Sequence, residues 1–284
     1  MANKIIVLSL PRCGSSVITN LISSAGYNVY SKTNLLGPSV FNKDGYFEDT
    51  KLTLLNDQLI RMVYGNDYSF IHTPSLEDFK TKTSSPLNQN DFEYDLDNIY
   101  FPPNYEDKIK EYIGCDWDVW GLTRMLFNEK WYKAYSKFKV KTYSQITSAL
   151  EEVTDYINNY KENIILKDPR LAIVLPFYKF TDCKYVFIKR NKENTLKSMK
   201  NHYGKNIFTQ NYLPGTEYCS NHFNYKVKYQ DFDYYYKTYT SIIEENIKDK
   251  ESFILNYEDL TDNNTINKLN TFINGNININ LLKL

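Results

Sequence analysis

Apolar positions along this chain recur at two different spacings. Short strand-like runs at 4–10, 27–31, 163–167, 184–189 and 252–256 predict five β-strands. Longer amphipathic stretches at 15–25, 49–64, 169–179, 191–203 and 261–273 predict helices that follow them. Strands alternating with helices imply an α/β fold with a central, mostly parallel five-stranded sheet and right-handed crossovers. Gly26 is placed to end the first helix. Asp168-Pro169 offers an N-cap followed by a first helical residue. A further helix over 229–249 is expected to pack beside the sheet.

The region 66–161 interrupts this alternation. Its part 86–104 is rich in Asn, Asp, Pro and Tyr and reads as an exposed loop, whereas 105–113, 119–135 and 143–161 read as helices. We expect an inserted helical cap over the upper edge of the sheet, within a single domain spanning 1–284. Trp117, Trp120 and Trp131 all fall in it; they form either the small core of the cap or an aromatic platform for a sugar. The Tyr-rich run 225–239 carries the same two readings.

The chemistry gathers where strands end. Ligands of open α/β sheets bind beyond the carboxyl ends of the strands. There the first strand runs into Pro11-Arg12-Cys13-Gly14-Ser15-Ser16 and a helix start. Unpaired N–H groups at a helix N-terminus attract anions, so this loop suits a phosphate or sulfate group. An ordinary turn capped by Ser15 is the plainer reading. The loop lacks the Lys and second Gly of the nucleotide-triphosphate loop, and Gly-x-Gly-x-x-Gly is absent. Arg190 ends the fourth strand on the same edge, Asn191 is placed to cap the next helix, and Ser198 lies about two turns into it. Lys167 ends the third strand there too.

Composition narrows the classes. The 284 residues are 42% hydrophobic and 24% charged, with a formal net charge of zero. That is a globular balance, and it favours neither nucleic acid nor an anionic membrane as partner. No run reaches the roughly 18 apolar residues of a membrane span. The first apolar run is seven residues long and ends in Pro-Arg, so no signal peptide and no Golgi-type anchor are expected. Cys13, Cys115, Cys183 and Cys219 show no Cys-x-x-Cys spacing and read as free thiols of a reducing, cytoplasmic setting. Cys13 either fills a tight turn or, beside Arg12 and a helix start, has a lowered pKa. His72, His202 and His222 are scattered, and no metal site is expected.

Five ordered segments resemble a known family. The loop at Pro11–Ser16 is similar to the 5′-phosphosulfate loop of sulfotransferases that use 3′-phosphoadenosine 5′-phosphosulfate (PAPS). Arg190 and Ser198 match that family's 3′-phosphate pair, an Arg and a Ser eight apart at a strand-to-helix junction. Lys167-Asp168-Pro169-Arg170 resembles the Lys-centred motif of bacterial and glycan-modifying members. Gly45-Tyr46-Phe47-Glu48 looks like their Gly-aromatic-aromatic-Glu segment, and Tyr257-Glu258-Asp259-Leu260 like the segment after the last core strand. The chain departs from the cytosolic branch, which carries Lys at the position of Arg12, a catalytic His in the central motif and a C-terminal Arg-Lys-Gly.

The resemblance implies a P-loop-like three-layer fold and transfer of a sulfuryl group from PAPS to a hydroxyl, or an amine, without a metal. By it, Pro11, Arg12, Cys13, Gly14, Ser15, Ser16, Arg190, Ser198 and Tyr257 bind the nucleotide. Arg12 and Lys167 stabilise the charge that develops, and Glu48 is the base, with Asp168 next in line. Set against these roles, Glu48 or Asp49 would complement a helix dipole, and Asp168 would cap a helix. Arg170 holds either Glu48 or an acidic acceptor. The implied acceptor is a saccharide, glycolipid or small metabolite; an acidic loop at Asp91–Asp97 suits a neutral one. A nucleotide kinase or NTPase, and an inactive nucleotide-binding protein, are the other classes considered.

Overall fold

The computed structural model describes residues 2–30, 35–36, 45–65, 68, 73–89, 142–203 and 231–282. Among them are five parallel strands and eight α-helices. The strands are β1 (Lys4–Ser9), β2 (Asn28–Val29), β3 (Ile164–Lys167), β4 (Cys183–Lys189) and β5 (Ser252–Asn256), in spatial order β2-β3-β1-β4-β5. β1 lies at the centre, in register with β3 (Val7 opposite Lys167) and with β4 (Ser9 opposite Ile188). Every residue of β1 is buried. A strand side chain points to alternate faces, so a strand this apolar must be covered on both.

Two cores do the covering. Ile5 and Val7 face α1 (Ser15–Ser24) and a C-terminal helix, α8 (Asn263–Ile273), through Ile18, Ile22, Leu269 and Ile273. Ile6, Leu8 and Leu10 face α2 (Thr50–Tyr64), α4 (Tyr143–Asn159), the short α5 (Leu171–Val174) and α7 (Phe232–Ile247). The result is a three-layer α/β fold with an all-parallel central sheet. The chain leaves β1 toward one face and β3 toward the other, which opens a crevice between the ends of these neighbouring strands. α6 (Lys192–Tyr203) follows β4, and its Met199 joins the larger core.

Helix ends follow local chemistry. α1 closes as anticipated: Gly26 adopts φ 88° and its N–H donates to Ser23 O (3.0 Å). Asp49 caps α2 by accepting from Leu52 N at 2.8 Å, and Asn191 caps α6 by accepting from Glu193 N at 2.9 Å. The helix expected over 169–179 is shorter. A turn over Asp168–Arg170 precedes α5, and a 3-10 turn at Leu175–Phe177 ends it. Pro176 has no N–H to continue the ladder. β2 is likewise shorter than the 27–31 expected.

Two helices lie inside the region expected as a cap. α3 (Leu76–Thr83) is opened by Ser75, which accepts from Asp78 N (3.0 Å), and it buries Phe79. Lys80 pairs with Glu245 of α7 at 3.2 Å. α4 starts with a reciprocal cap between Thr142 and Gln145 and buries Ile146, Leu150, Val153 and Ile157 in the larger core. α4 thus belongs to the larger core, whereas α3 lies against α2 and α7. The loop at 90–104, the stretches 105–113 and 119–135 and the three tryptophans lie outside the described residues. No helix among the described residues is long and apolar enough to cross a membrane.

Candidate functional site

All five strands are parallel, so the turns after β1, β3, β4 and β5 share one edge. The turn after β1 is conformationally unusual. Arg12 adopts φ 66° and Gly14 φ 94°. Left-handed backbone costs a residue with a Cβ roughly 1–2 kcal/mol, so Arg12 is held there by its surroundings. Gly14 is required twice over: a Cβ would lie 2.1 Å from the Tyr257 ring. Gly14 is also the N-cap of α1 and gives the helix no side-chain cap, so the expected Ser15 cap is not used. Ser15 is instead the first helical residue, and buried. The start of α1 therefore presents backbone N–H groups, the local basis of an anion site.

On one side of this loop lies a buried array of charges. Lys167 Nζ forms an ion pair with Glu48 Oε1 and donates to Tyr46 O (2.9 Å) and Ser16 Oγ (3.5 Å). Arg170 lies 3.9 Å from Glu48, 3.6 Å from Asp57 and 3.2 Å from Asp168. Burial would lower the Arg170 pKa, but Asp168, Asp57 and Glu48 outweigh it and hold the guanidinium above its ordinary value. Asp168 is fully buried and accepts from Asn56 Nδ2 (2.9 Å) and from the backbone and side chain of Arg170 (3.0 and 3.2 Å). The Tyr178 hydroxyl donates to Asn56 Oδ1 (2.6 Å), and burial pushes its pKa well up. Arg61 pairs with Asp57 at 3.2 Å.

This array settles two readings left open above. Asp49 caps α2, so Glu48 is released from that task and turns to Lys167. Arg170 faces Glu48 together with two aspartates, buried, rather than standing out toward an acceptor. The Glu48 backbone is fixed as well: its carbonyl accepts from Leu36 N (2.8 Å), and the preceding Phe47 has φ 55°.

On the other side of the loop the contacts are half exposed. Arg12 Nε donates to Ser198 Oγ (3.4 Å), and Arg190 Nη1 donates to Arg12 O (3.0 Å). The Arg190 guanidinium lies 4.5 Å from the centre of the Tyr257 ring, a cation–π contact. The ring that forbids a side chain at Gly14 thus also supports Arg190. Beneath them Cys13 is fully buried, its sulfur 3.5 Å from Thr195 Oγ1 and its N–H donating to Leu10 O (3.3 Å). Burial pushes the thiol pKa up to about 11, against the weaker pull of Thr195 and Arg190. The lowered value considered from the sequence is thereby corrected: apolar burial wins over the helix start. Pro11 is buried as well, so Pro11 and Cys13 shape the turn from below.

The expected residues therefore assemble, Glu48, Lys167 and Asp168 on one flank and Arg12, Arg190, Ser198 and Tyr257 on the other. Several partners had no such expectation. Asn56 and Asp57 of α2 sit about two turns beyond its cap Asp49, and Thr53 one turn beyond it, all buried. The partners of Asn56 and Asp57, Asp168 and Arg170, are distant in sequence, so the chain alone carried no signal for them. Two tyrosines of the run 225–239 anchor the site's backbone. The Tyr236 hydroxyl donates to Arg190 O (2.7 Å) and the Tyr239 hydroxyl to Pro169 O (2.6 Å). Tyr235 and Tyr239 are core residues, which answers the platform reading for them; 225–230 lie outside the described residues. His202, one turn beyond Ser198, has its ring centre 6.2 Å from that of Tyr46. Comparison of the chain with family models, with curated proteins and with solved structures returns no match.

Proposed function

We propose that this chain is a sulfotransferase that moves a sulfuryl group from PAPS to a hydroxyl acceptor. The observation that carries the reading is the pair of flanks around the start of α1. Lys167, with Glu48, reaches Ser16 on one side, and Arg12, Ser198 and Arg190 meet on the other. A nucleotide phosphorylated at both ends needs two such anion sites about one loop. The ordered sequence resemblance supports the same reading.

In this mechanism the N–H groups of Gly14, Ser15 and Ser16 hold the 5′-phosphate, and Arg190 and Ser198 hold the 3′-phosphate. The acceptor oxygen attacks sulfur in line. The bond from sulfur to the bridging oxygen breaks, its electron pair stays on the departing phosphate, and the acceptor proton passes to Glu48. Arg12 and Lys167 oppose the charge that grows on the leaving oxygen, so catalysis is orientation plus preset electrostatics. Asp168, accepting three hydrogen bonds, holds Arg170 and Asn56 instead of taking the proton. The acceptor is a saccharide, lipid-linked or small-molecule alcohol, and the setting is the cytoplasm.

The test is calorimetric titration with 3′-phosphoadenosine 5′-phosphate and with AMP, followed by radiolabelled transfer from PAPS to an acceptor panel. The 3′-phosphate should improve binding by about 10- to 100-fold, the equivalent of one or two charge-assisted contacts. Equal affinity for the two nucleotides overturns the reading. Magnesium-dependent phosphoryl transfer from ATP would replace it with the kinase class.

A further inference from the structure

Glu48 has two cationic partners of different kinds. Lys167 reaches it from the end of β3 and touches Ser16 of α1 with the same ammonium. Arg170 reaches it from the following turn, and is fixed by Asp168 and Asp57. A lysine ammonium is a point charge on a flexible stem and changes partners by rotation. A planar guanidinium shared by several carboxylates does not.

An anion at the start of α1 competes with Glu48 for Lys167. Buried Glu48, 7% exposed, would then be costly without another counter-charge. We propose that Arg170 is the positioning residue of this site: it holds Glu48 when Lys167 turns from that carboxylate to an anionic group bound at the start of α1. The proposal rests on the reading above for the role of Glu48 as base, but the exchange of Lys167 between partners does not depend on it.

The exchange has a consequence that geometry alone would not suggest. Glu48 restrains Lys167, and so opposes the anion. Arg170 shares Glu48, and so weakens that restraint. Removing Arg170 should therefore weaken anion binding, although its side chain lies among carboxylates. Removing Glu48 in the same chain should reverse the loss. A residue needed only for folding gives no such reversal.

The experiment is calorimetric titration of wild type, Glu48→Gln, Arg170→Met, the double variant and Glu48→Gln/Lys167→Met, with melting curves to establish that each is folded. The probes are 3′-phosphoadenosine 5′-phosphate, ADP and pyrophosphate. Glu48→Gln should tighten binding about fivefold, and Arg170→Met should weaken it about fivefold, in the range of ordinary site coupling. The Glu48→Gln/Arg170→Met chain should bind at least as tightly as wild type, and adding Lys167→Met to Glu48→Gln should cancel its gain. If Arg170→Met does not fold, Arg170→Lys carries the test: it keeps a cation beside Asp57 and Asp168 but loses the reach to Glu48. An unchanged affinity in the Arg170 variants, or a loss that Glu48→Gln does not reverse, overturns the proposal. The same pattern with ADP or pyrophosphate, and no binding of 3′-phosphoadenosine 5′-phosphate, overturns the PAPS reading and leaves Arg170 as assigned. Binding of none of the three overturns both.

Discussion

The two flanks of the loop at Pro11–Ser16 are built from different interactions. On the β3 side, Glu48, Lys167, Asp168, Arg170, Asp57 and Arg61 are all buried and paired charge to charge. On the β4 side, Arg190 and Ser198 are half exposed, and their contacts are hydrogen bonds and a ring face. Taking charges out of water is costly, and breaking a buried pair by removing one partner costs about 3–5 kcal/mol. Half-exposed hydrogen bonds exchange with a ligand at little cost, because net each is worth about 0.5–1.5 kcal/mol. Apart from Lys167, which the proposed exchange moves, the first flank holds a geometry in place before any ligand arrives. The second holds its donors only until something better arrives. Under the proposed function, orienting a base and binding and releasing a nucleotide would use one of each.

The largest effects should come from the buried flank, and they should split in kind. Glu48→Gln keeps size but cannot take a proton and leaves buried Lys167 without its carboxylate, so turnover of the folded protein should fall by about 10²–10⁴ and stability by about 3–5 kcal/mol. Asp168→Asn should cost stability alone. It leaves Arg170 without its nearest carboxylate and should lower stability by about 3–5 kcal/mol, with the surviving folded protein turning over near normally. Turnover and melting curves on both variants check this. Near-normal turnover in Glu48→Gln with a collapse in Asp168→Asn would exchange their roles.

The half-exposed flank should respond in binding alone. Arg190→Ala/Ser198→Ala should lose about 1.5–3 kcal/mol of the preference for 3′-phosphoadenosine 5′-phosphate over AMP. Its melting temperature should stay close to wild type, because the contacts removed are few and half exposed. A large drop in stability with the preference intact would mean that this flank is structural too, and the contrast between the flanks would be lost.

Much of this was legible because strand ends are legible. An apolar run bounded by Pro11, Asp168 or Arg190 fixes where the chain turns, and parallel order puts those turns on one edge. Long-range pairing was not legible. Asn56 and Asp57 look like the solvent face of an amphipathic helix, yet they are buried by residues more than a hundred positions away. Glu48 and Asp49 are adjacent acids at a helix start, and local chemistry suits either as cap. Only the register of α2 against Lys167 separates them. The two described helices of the region expected as a cap show why their neighbours were not legible. α3 is eight residues long and mostly exposed, so its apolar signal is little more than Phe79. α4 carries a clear apolar stripe, but a stripe does not say which surface it meets.

Cys13 gives the smallest expected effect and the sharpest probe of the ground between the flanks. Its thiol lies under the loop, with Thr195 at 3.5 Å, Arg190 drawing its pKa down and Glu258 raising it, and burial setting the outcome at about 11. The folded thiol therefore keeps its proton at a pH where the unfolded thiol, near 8.5, has lost it. Between those values the unfolded chain binds fewer protons than the native one, so stability falls as pH rises. The contribution is complete below the unfolded value and is lost as pH climbs through the folded one. From pH 8 to 9.5 the loss should be about 1 kcal/mol for this group. Cys183, raised to about 11 by burial, and the buried tyrosines add slopes of the same sign, so the comparison must be with Cys13→Ala at each pH. Urea midpoints should fall with pH in both proteins, and less steeply in the variant. Alkylation adds a second reading: native Cys13 should resist iodoacetamide at pH 8 and react only on unfolding. Rapid native labelling, with equal slopes in the two proteins, would mean that the loop opens to solvent. The start of α1 would then belong with the half-exposed flank rather than rest on a closed core.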